Sequence, residues 1–171
     1  MRLNIKGIKV FKSKVYKDKR GYFKEIFKEN IVKKKFIFNC ISYSKKNVLR
    51  GLHIQTKNSQ GKFLTIIKGE IFDVVVDLRK NSKTFGKYFG VYLSNKFYNS
   101  IYIPEGFAHG FCSLKKENIV YYCCTKYRNI GSEKTIKWDD KKLNIKWPIK
   151  KPILSKKDMQ GLSFVEFLKK R

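Results

Sequence analysis

From residue 63 to residue 79 the sequence FLTIIKGEIFDVVVDLR forms two strand-like runs broken at Lys68-Gly69, a pattern that predicts a β-hairpin. In the second run Phe72, Val74, Val76 and Leu78 fall on one face, with Asp73, Val75, Asp77 and Arg79 on the other. Similar short runs are KKFIFNCISYS (34–44), KYFGVYLS (87–94), NSIYIPE (99–105), GFCSL (110–114) and NIVYYCCTKY (118–127). Gly, Asn, Ser or Pro punctuates most of the gaps, and many short strands at this spacing predict an all-β sandwich or barrel. GYFKEIFK, within 20–28, alternates imperfectly and predicts a turn or a strand. Helix is scarce. SFVEFLKK (163–170) predicts a short C-terminal helix, with Ser163 as cap and Glu166 three residues on as a capping box. Residues 132–158, with Pro148 and Pro152, read as irregular. Neither an internal repeat nor a linker interrupts the pattern. The expectation is one domain over 1–171, with a core at about 34–128 and an irregular and helical C-terminal segment, 132–171.

Composition agrees with a folded domain: 42% of residues are hydrophobic and 15% aromatic. The net charge of +27 raises the question of nucleic acid. Lysine supplies nearly all of it, as scattered pairs such as Lys45-Lys46 and Lys141-Lys142, and no single stripe collects them. Phosphate and base recognition favours the planar fork of Arg, so a nucleic-acid partner is not expected. The field can still speed the approach of an anionic small molecule. Cys40, Cys112, Cys123 and Cys124 form no C-x-x-C pair and read as buried free thiols. The N-terminal stretch has no signal-peptide pattern and no run approaches the length of a membrane helix, so the expectation is a soluble, cytoplasmic protein without a membrane partner.

The chain has two histidines, in VLRGLHIQ (48–55) and IPEGFAHGF (103–111). Pro104-x-Gly106-x-x-His109 between two strands is half of a cupin signature. The other half needs H-x-H, and here it reads His53-Ile54-Gln55, so a transition-metal site lacks ligands and no metal is expected. A histidine that works without metal is suited to moving protons near neutral pH. It needs an orienting carboxylate, for which Asp73, Asp77 and Asp158 are candidates. It also needs an acid on the other face of the substrate, for which Tyr121, Tyr122 and Tyr127 are candidates. Arg50 and Lys62 lie near His53 in the strand system and suit a phosphate or an enolate oxygen. This set fits proton abstraction next to a carbonyl.

The ordered phrases RGYFKE, VLRGLH, QGKFLTIIKGEIFDVVVDLRKNSKTFGKY, IYIPEGFAHGF, VYYCCTKY, WDDKKLNIKWP and ILSKKD resemble the dTDP-4-dehydrorhamnose 3,5-epimerase family from about residue 5 to residue 160. The resemblance implies a metal-independent, cofactor-free cupin jelly roll with a few short peripheral helices, usually a homodimer that exchanges N-terminal strands. It implies epimerisation at carbons 3 and 5 of a nucleotide-diphospho-4-keto-6-deoxy sugar, in deoxysugar or polysaccharide biosynthesis. By the same resemblance His53 matches the base, Asp158 its carboxylate partner and Tyr122 the acid. Lys62 and His109 match sugar-pocket residues, Arg50 a diphosphate contact, and Tyr127 a further pocket residue. Arg20 and Glu25 match nucleotide contacts offered across the dimer.

The chain departs from the family where a phrase like Q-x-N-x-S usually precedes VLRGLH: Phe38 and Cys40 replace the Gln and Asn. Those positions lie toward the nucleotide, so thymidine is not assured. The alternatives left open are a 3- or 5-epimerase of a GDP-linked 4-keto sugar such as a heptose for capsule synthesis, and a cupin nucleotide-sugar ketoisomerase.

Overall fold

A computed structural model describes residues 5–170. The strands are β1 (Lys9–Lys12), β2 (Val15–Asp18), β3 (Gly21–Lys24), β4 (Phe38–Lys45), β5 (Leu49–Gln55), β6 (Lys62–Lys68), β7 (Glu70–Asp77), β8 (Tyr88–Ser94), β9 (Asn99–Ile103), β10 (Phe107–Ser113), β11 (Glu117–Cys124) and β12 (Glu133–Thr135). Two short helices follow, α1 (Lys156–Met159) and α2 (Phe164–Lys169). Two five-stranded antiparallel sheets, β1-β9-β6-β11-β4 and β12-β5-β10-β7-β8, face each other, and β2-β3 forms a separate two-stranded ribbon. This is an all-β sandwich, one of the two forms that the strand pattern predicts, with short helices at its edge as the family resemblance implies.

The predicted hairpin at Lys68-Gly69 is corrected. β6 pairs with β9 and β11 in one sheet, whereas β7 pairs with β8 and β10 in the other. Gly69 is therefore a corner between sheets. Its φ is 89°, and a Cβ there would collide with the Glu117 carbonyl and Asn118, so glycine is needed for both reasons.

Period-two alternation divides the apolar residues among three regions. Leu64, Ile66, Ile71, Val75, Leu93, Ile101, Phe107, Phe111 and Val120 fill one part of the space between the sheets. The opposite residues of β7, Phe72, Val74 and Val76, face outward with Leu78. There the C-terminal segment covers them with Ile136, Leu143, Phe164 and Phe167, flanked by Trp138 and Trp147. On the outer side of the first sheet Phe63, Tyr102 and Cys123 meet Val32, Phe27 and Phe36. α2 is held by the predicted capping box of Ser163 and Glu166. β12 lies inside the stretch expected to be irregular, where Glu133, Lys134 and Thr135 extend the second sheet along β5. Among the described residues no helix is long and apolar enough to cross a membrane.

Candidate active site

The rest of the space between the sheets mixes charged and polar side chains with aromatic ones. It holds a cavity of about 290 Å³ whose lining includes Phe38, Cys40, Arg50, His53, Lys62, His109, Tyr122 and Asp158. The sequence puts Arg50 and His53 three positions apart, and in a regular strand such residues point to opposite faces. Both line the cavity because β5 is bulged. Against β10, His53 pairs with His109 but Arg50 pairs with Phe111, so β5 spends three steps where β10 spends two. The extra residue falls at Gly51-Leu52. Gly51 has φ 116°, and a Cβ there would lie 2.6 Å from the Gly110 Cα. The glycine of the RGLH phrase thus lets β5 approach β10 and turns two cavity-lining side chains to one side.

His53 Nε2 and Asp158 Oδ1 are 2.6 Å apart, and Asp158 is only 3% exposed. α1 delivers that carboxyl. Ser155 caps the helix by accepting from the Asp158 amide, and its hydroxyl donates to Asp158 Oδ2 at 2.8 Å. The Gly51 amide donates to Asp158 Oδ1 at 3.3 Å. Burial alone would push this carboxyl up. The hydrogen bonds from His53 and Ser155, with smaller help from the His53 charge and the Gly51 amide, outweigh it and hold Asp158 below the usual carboxylate range.

A second His–Asp pair stands beside the first. His109 Nε2 and Asp73 Oδ2 are 2.7 Å apart, with Asp73 fully buried. The register explains the pairing: Asp73 lies opposite Phe111 on β10, so it is two residues from His109 on the same inward face. The sequence names Asp73 only as one of three candidate carboxylates. Asp77, another of the three, is instead enclosed by Arg79, Ser82 and Thr84 at the β7 end.

The opposite sheet supplies the facing wall. On β11 Tyr122 and Cys124 point into the cavity, while Tyr121 and Cys123 face the outer cluster, so Tyr122 is the inward tyrosine. Its hydroxyl is 3.1 Å from Ser42 Oγ on β4. Burial pushes the phenol well above its usual range, although Ser42 and Arg50 pull the other way. Lys62, at the start of β6, donates to Gln60 Oε1 at 2.5 Å. Burial lowers its pKa, against smaller raising effects of Cys124, Cys40 and Glu133. The Arg50 guanidinium is aimed by Ser44 Oγ at 3.0 Å and the Tyr43 carbonyl at 2.9 Å.

At the rim, Glu133 joins Arg128 at 2.8 Å and Lys157 at 2.8 Å. All three line the cavity, and sequence reasoning missed them. They come from the β11–β12 connection, β12 and α1, so no local phrase unites them.

Three expected residues are not brought into the lining. Tyr127 is 67% exposed and sits outside the cavity, with its ring 6.1 Å from that of Phe38 at the rim. The chain leaves β11 at Cys124, so Tyr127 no longer follows the strand's inward alternation. Arg20, in the β2–β3 turn, is exposed and paired with Asp18. Glu25 pairs with Lys28. Within one chain neither reaches the cavity. Among the described residues no three or more His, Cys, Asp or Glu converge as a metal-binding group.

Comparison with known proteins places this geometry in a family. The sequence pattern of dTDP-4-dehydrorhamnose 3,5-epimerase matches residues 2–166. The chain is 42% identical to dTDP-4-dehydrorhamnose 3,5-epimerase of Shigella flexneri, covering 97% of this chain and 96% of that protein. It is 45% identical to the Neisseria gonorrhoeae protein of the same name over 93% of this chain, and spans half the length of that relative. The fold matches the crystal structure of the Legionella pneumophila dTDP-6-deoxy-D-glucose-3,5-epimerase in complex with dTDP-4-keto-L-rhamnose. The TM-score is 0.90, with 39% identity over 95% of this chain and 90% of that one. The chain belongs to the dTDP-4-dehydrorhamnose 3,5-epimerase family of isomerases.

Proposed function

We propose that the chain inverts carbons 3 and 5 of a dTDP-linked 4-keto-6-deoxyhexose by proton transfer through an enolate. The observation that carries this reading is that His53 and Tyr122 enter one cavity from opposite sheets. Inversion needs a base on one face of the sugar and a proton donor on the other.

The ketone at carbon 4 acidifies the hydrogens on both neighbouring carbons, because the carbanion becomes an enolate. His53 takes one such proton. Asp158 fixes the ring by accepting from Nε2, which leaves the other ring nitrogen free as the base, and its charge supports the imidazolium that forms. The negative charge gathers on the carbonyl oxygen, where Lys62 and, in its doubly protonated form, His109 are available as donors. Asp73 orients His109 for that task. Tyr122, a phenol and so protonated at neutral pH, gives its proton to the carbon from the opposite face. Proton exchange with solvent then restores both side chains. The same cycle runs at the second carbon after the sugar turns or shifts.

Arg50 suits the diphosphate. Arg20 and Glu25 reach the nucleotide only if a second copy supplies them, so the reading includes a homodimer with exchanged N-terminal strands. Tyr127, beside Phe38 at the rim, belongs to the nucleoside end.

One observation favours a second reading of the nucleotide. Phe38 and Cys40 both line the cavity, and neither offers an amide to a base. A GDP-linked 4-keto sugar is therefore the alternative donor. The test is proton NMR in deuterated water with the 4-keto-6-deoxy sugar presented on dTDP and on GDP. Loss of the carbon 3 and carbon 5 signals, faster on dTDP, supports the first reading. Faster loss on GDP replaces it with the second, and no exchange on either refutes both.

A further inference from the structure

Two thiols share the cavity wall with Tyr122. Cys40 on β4 lies opposite Tyr122, and Cys124 on β11 lies opposite Phe38, so the two cysteines are diagonal neighbours on one inward face. Both line the cavity, and neither is in a disulfide. Lys62 on β6 lies opposite Cys124, and all three side chains line the same cavity. Cys112 and Cys123 are different. They are buried in the two outer clusters, away from the cavity.

Diagonal pairs of this kind have Cβ atoms about 7 Å apart or somewhat less, whereas a disulfide needs about 4 Å. A direct S–S bond would require the strands to shift. One interposed atom removes that requirement. An ion bonded at ~2.3 Å to each sulfur spans a gap of up to ~4.6 Å without moving the backbone. Softness then selects the ion: thiolate ligands favour the d¹⁰ thiophilic cations, of which monovalent copper accepts two sulfurs.

We propose that Cys40 and Cys124 form a two-thiol site for a soft, thiophilic cation such as monovalent copper, and that its occupancy shuts down the active site. Binding replaces two S–H bonds by two metal–sulfur bonds and releases two protons, with no change of oxidation state. The product of a monovalent ion and two thiolates carries one negative charge. Lys62, half-buried and opposite Cys124, is the group placed to balance it. Once bound, the ion sits next to Tyr122 and draws Lys62 into an ion pair. It thereby takes cavity space and the enolate's cationic partner together.

The experiment is anaerobic titration of the full chain with monovalent copper, buffered by a chromogenic chelator, in wild type and in Cys40→Ser, Cys124→Ser and Cys123→Ser. Expected are a single tightly held ion per chain and near-ultraviolet thiolate-to-copper absorption. Cys40→Ser and Cys124→Ser should each weaken binding by at least about a hundredfold, with Cys123→Ser like wild type. Failure of wild type to take copper from the chelator, or wild-type affinity in either Cys40→Ser or Cys124→Ser, overturns the site. This arm uses copper alone and stands whatever reaction the chain performs. The inhibition arm rests on the epimerase reading. Copper should abolish solvent exchange into the sugar in wild type and Cys123→Ser, but not in Cys40→Ser or Cys124→Ser, each compared with its own copper-free rate. Full exchange by copper-loaded wild type overturns the claim of inhibition and leaves the binding result intact.

Discussion

Replacing Asp158 with Asn is expected to slow proton abstraction about a thousandfold while leaving the chain folded. The carboxylate lies 2.6 Å from His53 Nε2, so when the ring gains a proton two opposite charges face each other in the cavity wall. With charge centres about 4 Å apart and an effective dielectric constant near 20, their attraction is ~4 kcal/mol. At ~1.4 kcal/mol per tenfold, losing it costs about three orders of magnitude in the rate of forming the imidazolium. Asn keeps an oxygen in place of Oδ1 to accept from the Gly51 amide, its NH2 in place of Oδ2 can donate to the Ser155 hydroxyl, and the backbone cap from residue 158 to Ser155 is unchanged, so the helix survives. The wild-type carboxyl is held below its ordinary value of 3.8, so it stays ionised throughout the neutral range. Its contribution to stability is complete above that value and is lost as pH falls through the lowered pKa. The assay is the rate of deuterium wash-in at carbons 3 and 5, with a melting curve on the same sample. A variant that melts like wild type and exchanges within about tenfold of it would refute the dyad.

Other perturbations separate the remaining parts. Tyr122→Phe removes the proposed donor but not the proposed base, so exchange returning to the His53 face should persist while inversion falls about a hundredfold. The ratio of exchange to inversion by NMR reads this, and equal losses in both would remove Tyr122 from the role. Asp73→Asn leaves His109 without its buried carboxylate and should lower kcat about a hundredfold with little change in KM. Unaltered kcat would show that His109 needs no orientation. Asp77 accepts from Arg79, Ser82 and Thr84; burial pushes its carboxyl up, but these bonds outweigh it and hold it well below the usual range. Its stabilisation is present above 3.8 and disappears as acid protonates the folded form, so wild-type Tm should fall in that window. Asp77→Asn should lose about 2 kcal/mol at neutral pH and show a flatter acid profile.

Strand positions were legible because burial on one face leaves a period-two trace, clearest in Phe72 to Arg79. What the trace lacks is partnership. A glycine between two strands looks the same whether the chain makes a hairpin or, as at Gly69, a corner between sheets. The histidines were legible as phrases, and Asp158 and Tyr122 through family resemblance. The reason that Arg50 and His53 share a face was not legible, because strict alternation separates them and only the bulge at Gly51 reunites them. The pairing of Asp73 with His109 depends on the β7–β10 register, which the sequence of either strand alone leaves open. Glu133, Arg128 and Lys157 meet from separate segments for the same reason. Tyr127 was expected in the pocket by its phrase, but the strand ends before it.

The central claim is that His53 removes the proton. The direct measurement is solvent deuterium exchange into the dTDP-linked 4-keto-6-deoxy sugar by wild type and by His53→Asn, with dTDP affinity measured on both. The account predicts exchange at carbons 3 and 5 in wild type, none above background in the variant, and similar affinity for dTDP. Exchange at the wild-type rate in a folded His53→Asn variant would contradict it.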